Sequence, residues 1–148
     1  MSAYRRILVA VDGSPASSKG LREALRLAKA GRAKLCIVHV VDEFYAFAGF
    51  DGMAPTQDLV PVFRAGGKRI LAKAEAVARK AGIKPKTVLR ETVGGPAAGP
   101  ILSEARKQRA DLIVLGTHGR RGVRRLVLGS DAEQVVRTAS VPVLLVRG

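Results

Sequence analysis

Gly116, Thr117, His118 and Gly119, followed after nine residues by Gly129 and Ser130, have the residue types and spacing of a phosphate-holding loop. An apolar run, Leu112-Ile113-Val114-Leu115, leads into them with the character of a strand, and a helix-like stretch, Asp131 to Thr138, follows. Glycine lets the backbone come close to a ligand and turn its N–H groups inward. A helix start adds N–H donors without intrahelical partners and a partial positive charge. The chemistry this segment offers is anion binding, and the expected ligand is a nucleotide.

Its neighbours carry two readings each. Asp12, in Asp12-Gly13-Ser14 at the end of the first strand-like run, suits a ribose hydroxyl or a metal-bound water, and equally an ordinary Asp-Gly turn. The Ser130 hydroxyl can donate to a phosphate oxygen or cap the last helix, since Ser130-Asp131-Ala132-Glu133 fits the S-x-x-E capping box. His118 can reach phosphate through a ring nitrogen, but it has no partner histidine for a metal, because His39 falls within a strand and reads as a satisfied core residue. Arg120, Arg121, Arg124 and Arg125 share the loop and suit forked hydrogen bonds to phosphate, or simply solvent. The chain has no G-x-x-x-x-G-K-[ST] P-loop, no G-x-G-x-x-G fingerprint, no G-x-S-x-G elbow and no zinc-ligand spacing. Nothing pairs a general base with a nucleophile.

These residues need a scaffold, and the hydrophobic pattern supplies one. Apolar, β-branched runs recur at Ile7–Val11, Lys34–Val41, Thr87–Thr92, Asp111–Leu115 and Val141–Val146; several lack alternation, as strands covered on both faces do. Helical spacing lies between them in Pro15–Ala30, in Val62–Ala81, around Ile101, Leu102 and Ala105, and around Ala132, Val135, Val136 and Ala139. Ser14-Pro15 reads as an N-cap followed by proline at the first helical position, and Gly31 and Gly82 stand where C-terminal caps belong. The order βαβαβαβαβ implies one α/β domain over residues 1–148: a five-stranded parallel sheet with four helices on its two faces. Ligands of such sheets bind beyond the carboxyl ends of the strands where strand order reverses, so the first and fourth strands should flank the site. One long connection, Asp42 to Pro61, holds Phe44, Tyr45, Phe47 and Phe50, suited to closing over a ligand, to a partner subunit or to packing on the second helix.

Composition narrows the partners. The 148 residues allow one domain with a real core, and a hydrophobic fraction of 47% is ordinary. No apolar run approaches the ~18 residues that span a bilayer, and Met1 to Arg6 has no signal-peptide core, so a cytoplasmic protein without membrane contact is expected. The single cysteine, Cys36, allows no internal disulfide and reads as a small buried hydrophobe. The net charge of +14 favours anionic partners, but the basic residues are spread along helical stretches and form no tail, and aromatics make up only 4%. Nucleic acid is therefore a competing partner rather than the expected one.

Taken together, the chain resembles the universal stress protein family from Ile7 to Arg147. The resemblance rests on Ile7-Leu8-Val9-Ala10-Val11-Asp12-Gly13-Ser14, Val38-His39-Val40-Val41, Ala110 through Gly119, and Leu128-Gly129-Ser130 through Val141–Arg147. The pattern G-x2-G-x9-G-[ST] of the family's nucleotide-binding branch is present as Gly116, Gly119, Gly129 and Ser130. The resemblance implies a Rossmann-like, doubly wound sheet in order 3-2-1-4-5, ATP as ligand, and a homodimer through Val141–Val146. It places the phosphates against the four motif residues and His118, with Thr117, Arg120, Gly122 and Asp131 also at the site. Asp12 would face the ribose and adenine with Ala10 and Val11, and Val40 or Val41 would offer backbone groups to adenine. Two departures stand out: a loop richer in arginine than usual, and Asp131 where an apolar residue is common. A carboxylate there repels phosphate unless a divalent cation such as Mg²⁺ bridges them or the side chain turns away, although it also favours the helix start. A stress-response sensor or regulator that binds ATP and hydrolyses it at most slowly is the implied function. A nucleotide hydrolase on a similar fold is the alternative, against which Asp12-Gly13-Ser14-Pro15-Ala16-Ser17 stands in place of the S-G-G-x-D-S loop of such enzymes.

Overall fold

The computed structural model describes residues 2–44, 59–118 and 128–148. In chain order they form β1 (Arg6–Ala10), α1 (Pro15–Gly31), β2 (Lys34–Asp42), α2 (Val60–Lys80), β3 (Lys86–Thr92), α3 (Ala98–Lys107), β4 (Leu112–Gly116), α4 (Ser130–Thr138) and β5 (Val143–Val146). The strands make one parallel sheet in the order β3-β2-β1-β4-β5, with Ile7 opposite both Leu35 and Leu112. Each helix is thus a crossover between parallel strands, and the order reverses between β1 and β4, as expected.

Alternate residues of the central strands feed two cores. Ile7, Val9, Ile37 and Val114 pack beneath α1 and α2 against Leu21, Leu25, Leu71 and Ala78. Leu8, Cys36, Val38 and Ile113 pack beneath α3 and α4 against Ile101, Leu102 and Val135. Burial on both faces explains why β1, β2 and β4 read as unbroken apolar runs.

Element ends differ from the sequence expectation for identifiable reasons. β1 ends at Ala10, not Val11: the Val11 N–H still bonds to the Val38 carbonyl at 2.9 Å, but its own carbonyl accepts from the buried His39 ring. Asp111 precedes β4 because its carboxylate accepts from the Arg5 and Arg6 N–H groups at 2.9 and 3.0 Å, steering the chain into β1. β5 is shortened to Val143–Val146, after Pro142, whose carbonyl accepts from Ile113 N–H. Ser14 caps α1 as expected, accepting from Ser17 N–H, with Pro15 in the first turn. At the far end of α1 the left-handed residue is Arg32 (φ 54°) rather than Gly31, while Gly82 (φ 83°) takes the expected left-handed turn after α2. Gly31 is small for another reason: the Ser2 side chain lies where its Cβ would be.

Candidate functional site

The site is built where β1 and β4 end side by side. β1 runs into Asp12, Gly13 and Ser14, and Gly13 adopts φ 81°, a conformation that favours glycine over any side chain. The Asp12 carboxylate accepts from Ser14 N–H at 2.8 Å, and Asp12 N–H donates to Ser17 Oγ at 3.2 Å. These bonds fix the half-buried aspartate at the carboxyl edge of the sheet. The turn reading of Asp12 is therefore realised, and it also orients the carboxylate.

Gly116 closes β4 against the first turn of α1. A Cβ on Gly116 would stand 2.7 Å from the Ala16 carbonyl carbon and 2.9 Å from Ser17 N. Close helix–strand approach alone therefore demands glycine here. Thr117 follows and joins two segments: its N–H donates to the Val146 carbonyl at 2.9 Å and its carbonyl accepts from Gly129 N–H at 2.7 Å. Gly116-Thr117-His118 and Gly129-Ser130, separated in the chain, are thereby brought together. The Thr117 hydroxyl and His118 Nδ1 are 3.0 Å apart, and a methyl on Gly148 would stand 3.2 Å from His118 Nε2.

The start of α4 completes the arrangement. Gly129, not Ser130, is the N-cap, and no side chain caps the helix, so of the two readings of Ser130 the capping box is not formed. The first intrahelical bond runs from Glu133 N–H to the Gly129 carbonyl at 2.9 Å. The Ser130, Asp131 and Ala132 N–H groups ahead of it have no intrahelical acceptor. Ser130 is exposed in the first turn. Two carboxylates share that turn: Glu133 pairs with Arg137, whereas Asp131 makes no ion pair with any described residue.

On the other side of β1, the backbone of β2 distinguishes the two valines. The Val38 carbonyl faces β1 and bonds to Val11, and Glu43 N–H faces β3 and bonds to the Thr92 carbonyl. Polar groups alternate sides along a strand, so Val40 turns its backbone toward the space that β1 vacates, and Val41 turns toward β3. The Val41 side chain is buried under α2, while Val40 lies half-buried with Ala10 on the opposite face. Val11 is buried, with both backbone groups bonded within the protein. His39 is the satisfied core residue the sequence suggested: because a carbonyl only accepts, its Nδ1 carries the proton and donates to Val11 at 2.6 Å.

Other expected site residues, Gly119, Arg120 and Gly122, lie outside the described residues, as do Arg121, Arg124, Arg125 and, of the aromatic connection, Tyr45, Phe47 and Phe50. Phe44 is described: it is exposed and lies against Gly94. The sequence reading missed the ties among the loops beside it. The Asp42 carboxylate accepts from the Phe44 and Gly94 N–H groups, both at 2.9 Å, and Arg64 of α2 bridges Glu43 and Glu91 at 2.8 and 2.9 Å. The charged residues at the ends of β2 and β3 were the available signal. Among the described residues no three His, Cys, Asp or Glu side chains cluster as a metal site, and no helix is long and apolar enough to cross a membrane.

A model of the universal stress protein family matches residues 3–147. The chain belongs to this family. A universal stress protein of Methanocaldococcus jannaschii is 34% identical over 144 residues, covering 97% of this chain and 82% of its own length. The crystal structure of a universal stress protein family member from Burkholderia pseudomallei is 37% identical, with a TM-score of 0.76 over 99% of this chain and 98% of that one. A universal stress protein crystallised in complex with cAMP is 28% identical, with a TM-score of 0.68 over 99% and 98% of the two chains. The five-stranded order and four-helix arrangement are thus those of the universal stress protein fold.

Proposed function

We propose that this universal stress protein binds ATP at the carboxyl edge of β1 and β4 and works as a cytoplasmic stress-response sensor or regulator, hydrolysing the nucleotide slowly if at all. The observation that carries the reading is the Thr117 tie, which sets Gly116-Thr117-His118 beside Gly129-Ser130 and the uncapped start of α4. Three N–H groups and the Ser130 hydroxyl are then donors for phosphate oxygens, with the helix charge favouring an anion. His118 adds a ring nitrogen, and Asp12 and the Val40 backbone offer polar groups to the ribose and adenine. The cAMP complex of a relative supports an adenine nucleotide as the ligand class.

Asp131 argues for a divalent cation. Mg²⁺ is commonly held by one or two carboxylates together with substrate phosphates, and Asp131, at the helix start and without an ion pair to any described residue, has that character. When bound, the ion would neutralise phosphate charge that the carboxylate otherwise repels. β5, half-exposed and apolar at the sheet edge, suits pairing with a second copy of the chain.

The test is the ligand content of the purified, denatured protein, followed by thermal shift and calorimetric titration with ATP and Mg²⁺. Released adenine nucleotide, or saturable binding weakened by Ser130→Ala, is expected. Absence of bound nucleotide together with no thermal shift would remove the reading.

A further inference from the structure

We infer that the amino-terminal edge of the sheet, opposite the nucleotide site, is a second binding site, which takes the phosphodiester backbone of double-stranded nucleic acid. Five cations gather there around a groove of about 540 Å³: Lys29 and Arg32 at the end of α1, Lys34 at the start of β2, Lys84 in the turn after α2, and Lys86 at the start of β3. All five are exposed, and among the described residues none of them makes an ion pair and no carboxylate lines the groove. The chain spreads these residues over almost 60 positions, and the parallel β2–β3 pair, with Lys86 opposite Cys36, collects them.

Complementing the negative ends of α1 and α2 accounts for only part of this charge. Lys29 lies in the last turn of α1, but Arg32, Lys34, Lys84 and Lys86 lie beyond the helix ends. One carbonyl near each helix end is already engaged: Ala28 accepts from Arg32 and Ala33, and Ala78 from Ile83. Arg32 also holds a left-handed conformation (φ 54°) that glycine or asparagine would adopt with less strain. An arginine at such a position gives the edge a charge that the turn itself does not need.

The lining selects among anions. Five cations from four segments outnumber what one phosphate group needs and match an extended row of charges. The floor, Ala28, Leu35 and Ile83, is apolar and has no aromatic ring for a base to stack on. Single strands gain much of their affinity from such stacking, whereas a duplex presents its phosphates outward and needs none. Binding should therefore be independent of sequence and set by phosphate neutralisation.

Fluorescence anisotropy with a 20-base-pair duplex, titrated between 50 and 200 mM KCl, tests this. If all five cations engage phosphates, the slope of log K against log salt is about −4.5 and affinity falls roughly 500-fold across that range. Replacing Lys34, Lys84 and Lys86 together by Gln should bring the slope to about −1.8 and the fall to roughly 12-fold. A variant with the same charge change elsewhere, Arg22→Gln with Lys68→Gln and Lys73→Gln, should keep the parent slope. Unchanged circular dichroism and unfolding temperature establish that both variants are folded. Equal losses in the two variants, no duplex binding at 50 mM KCl, or binding to phosphatidylserine vesicles in place of the duplex would each overturn the assignment. Displacement of the duplex by equimolar inorganic pyrophosphate would overturn it too, by showing a small-anion pocket.

Discussion

Gly116→Ala should damage this protein more than its size suggests, and the structure gives the scale. The added methyl would lie 2.7 Å from the Ala16 carbonyl carbon and 2.9 Å from both Ala16 Cβ and Ser17 N. Carbon atoms pack at about 3.5–4.0 Å, so the first turn of α1 and the end of β4 would have to separate by roughly 0.7 Å or more. Overpacking of this kind costs about 1–3 kcal/mol, and the upper half applies because backbone meets backbone and no flexible side chain can yield. For a chain of this length that lowers the unfolding temperature by roughly 4–10 °C. Gly20 is the internal control. It faces the same junction from α1, yet a Cβ there meets Gly116 N and the Leu115 carbonyl carbon at 3.5 Å, an ordinary contact. Alanine is also favoured over glycine inside a helix by about 1 kcal/mol, so Gly20→Ala should be neutral or stabilising. Thermal and urea unfolding of the two variants decide the matter. A Gly116→Ala protein within about 0.5 kcal/mol of the parent, or a Gly20→Ala protein that loses as much as Gly116→Ala, would refute the close-approach argument.

Three further outcomes are expected. Burial pushes the Glu104 carboxyl up, but hydrogen bonds from Gln108 and Arg90, together with the Lys107 and Arg90 charges, outweigh it and hold the group below its ordinary value. The folded protein therefore binds that proton less tightly than the unfolded chain. The stabilisation is full above the ordinary carboxylate range and lost as pH falls through the folded value. The urea midpoint of the parent relative to Glu104→Gln should fall on acidification below about pH 4, and a rise would contradict the sign. Burial raises the Cys36 thiol to about 11, so only about 0.1% is thiolate at pH 8; the native protein should resist a thiol-specific disulfide reagent that labels it fully in urea, and rapid native labelling would show the site to be open. Asp131→Asn should raise ATP affinity in EDTA by about two- to threefold, the Coulomb cost of one like charge roughly 6–8 Å away in a solvent-like medium, with a smaller gain in Mg²⁺; an equal gain in both would remove the cation from the site.

Much of this was readable in the sequence because the relevant forces are local. Double-sided burial marks β1, β2 and β4 as continuous apolar runs, and Ser14-Pro15 fixes the start of α1 through one side-chain bond. What stayed hidden depends on contacts between segments far apart in the chain. The Gly116–Ala16 approach spans a hundred residues, and the Arg32 conformation is set by how α1 must turn into β2. Val40 and Val41 were indistinguishable as adjacent apolar residues; only the direction of the Val38 and Glu43 hydrogen bonds separates them. The charge misled in the same way. Lys34, Lys84 and Lys86 look scattered until the β2–β3 pairing brings them to one edge.

The division of labour inside the glycine motif also changes. Spacing alone suggests that each glycine exists to admit phosphate. Yet Gly116 is required by the Ala16 backbone whether or not a ligand binds, and Gly129 N–H is already given to the Thr117 carbonyl. Neither is therefore the main donor to an anion. In the proposed site donation would fall to the next turn, where Ser130, Asp131 and Ala132 present N–H groups that no side chain caps. Gly116 and Gly129 bring the helix start to the sheet edge, and under the proposal the helix start would meet the charge. It follows that Ser130→Pro, which removes one of those N–H groups at a position where proline fits a helix start, should weaken nucleotide binding with little loss of stability, while Gly116→Ala should lose stability first. If both variants instead lost binding and stability in the same proportion, the glycines and the helix start would not be separable in this way.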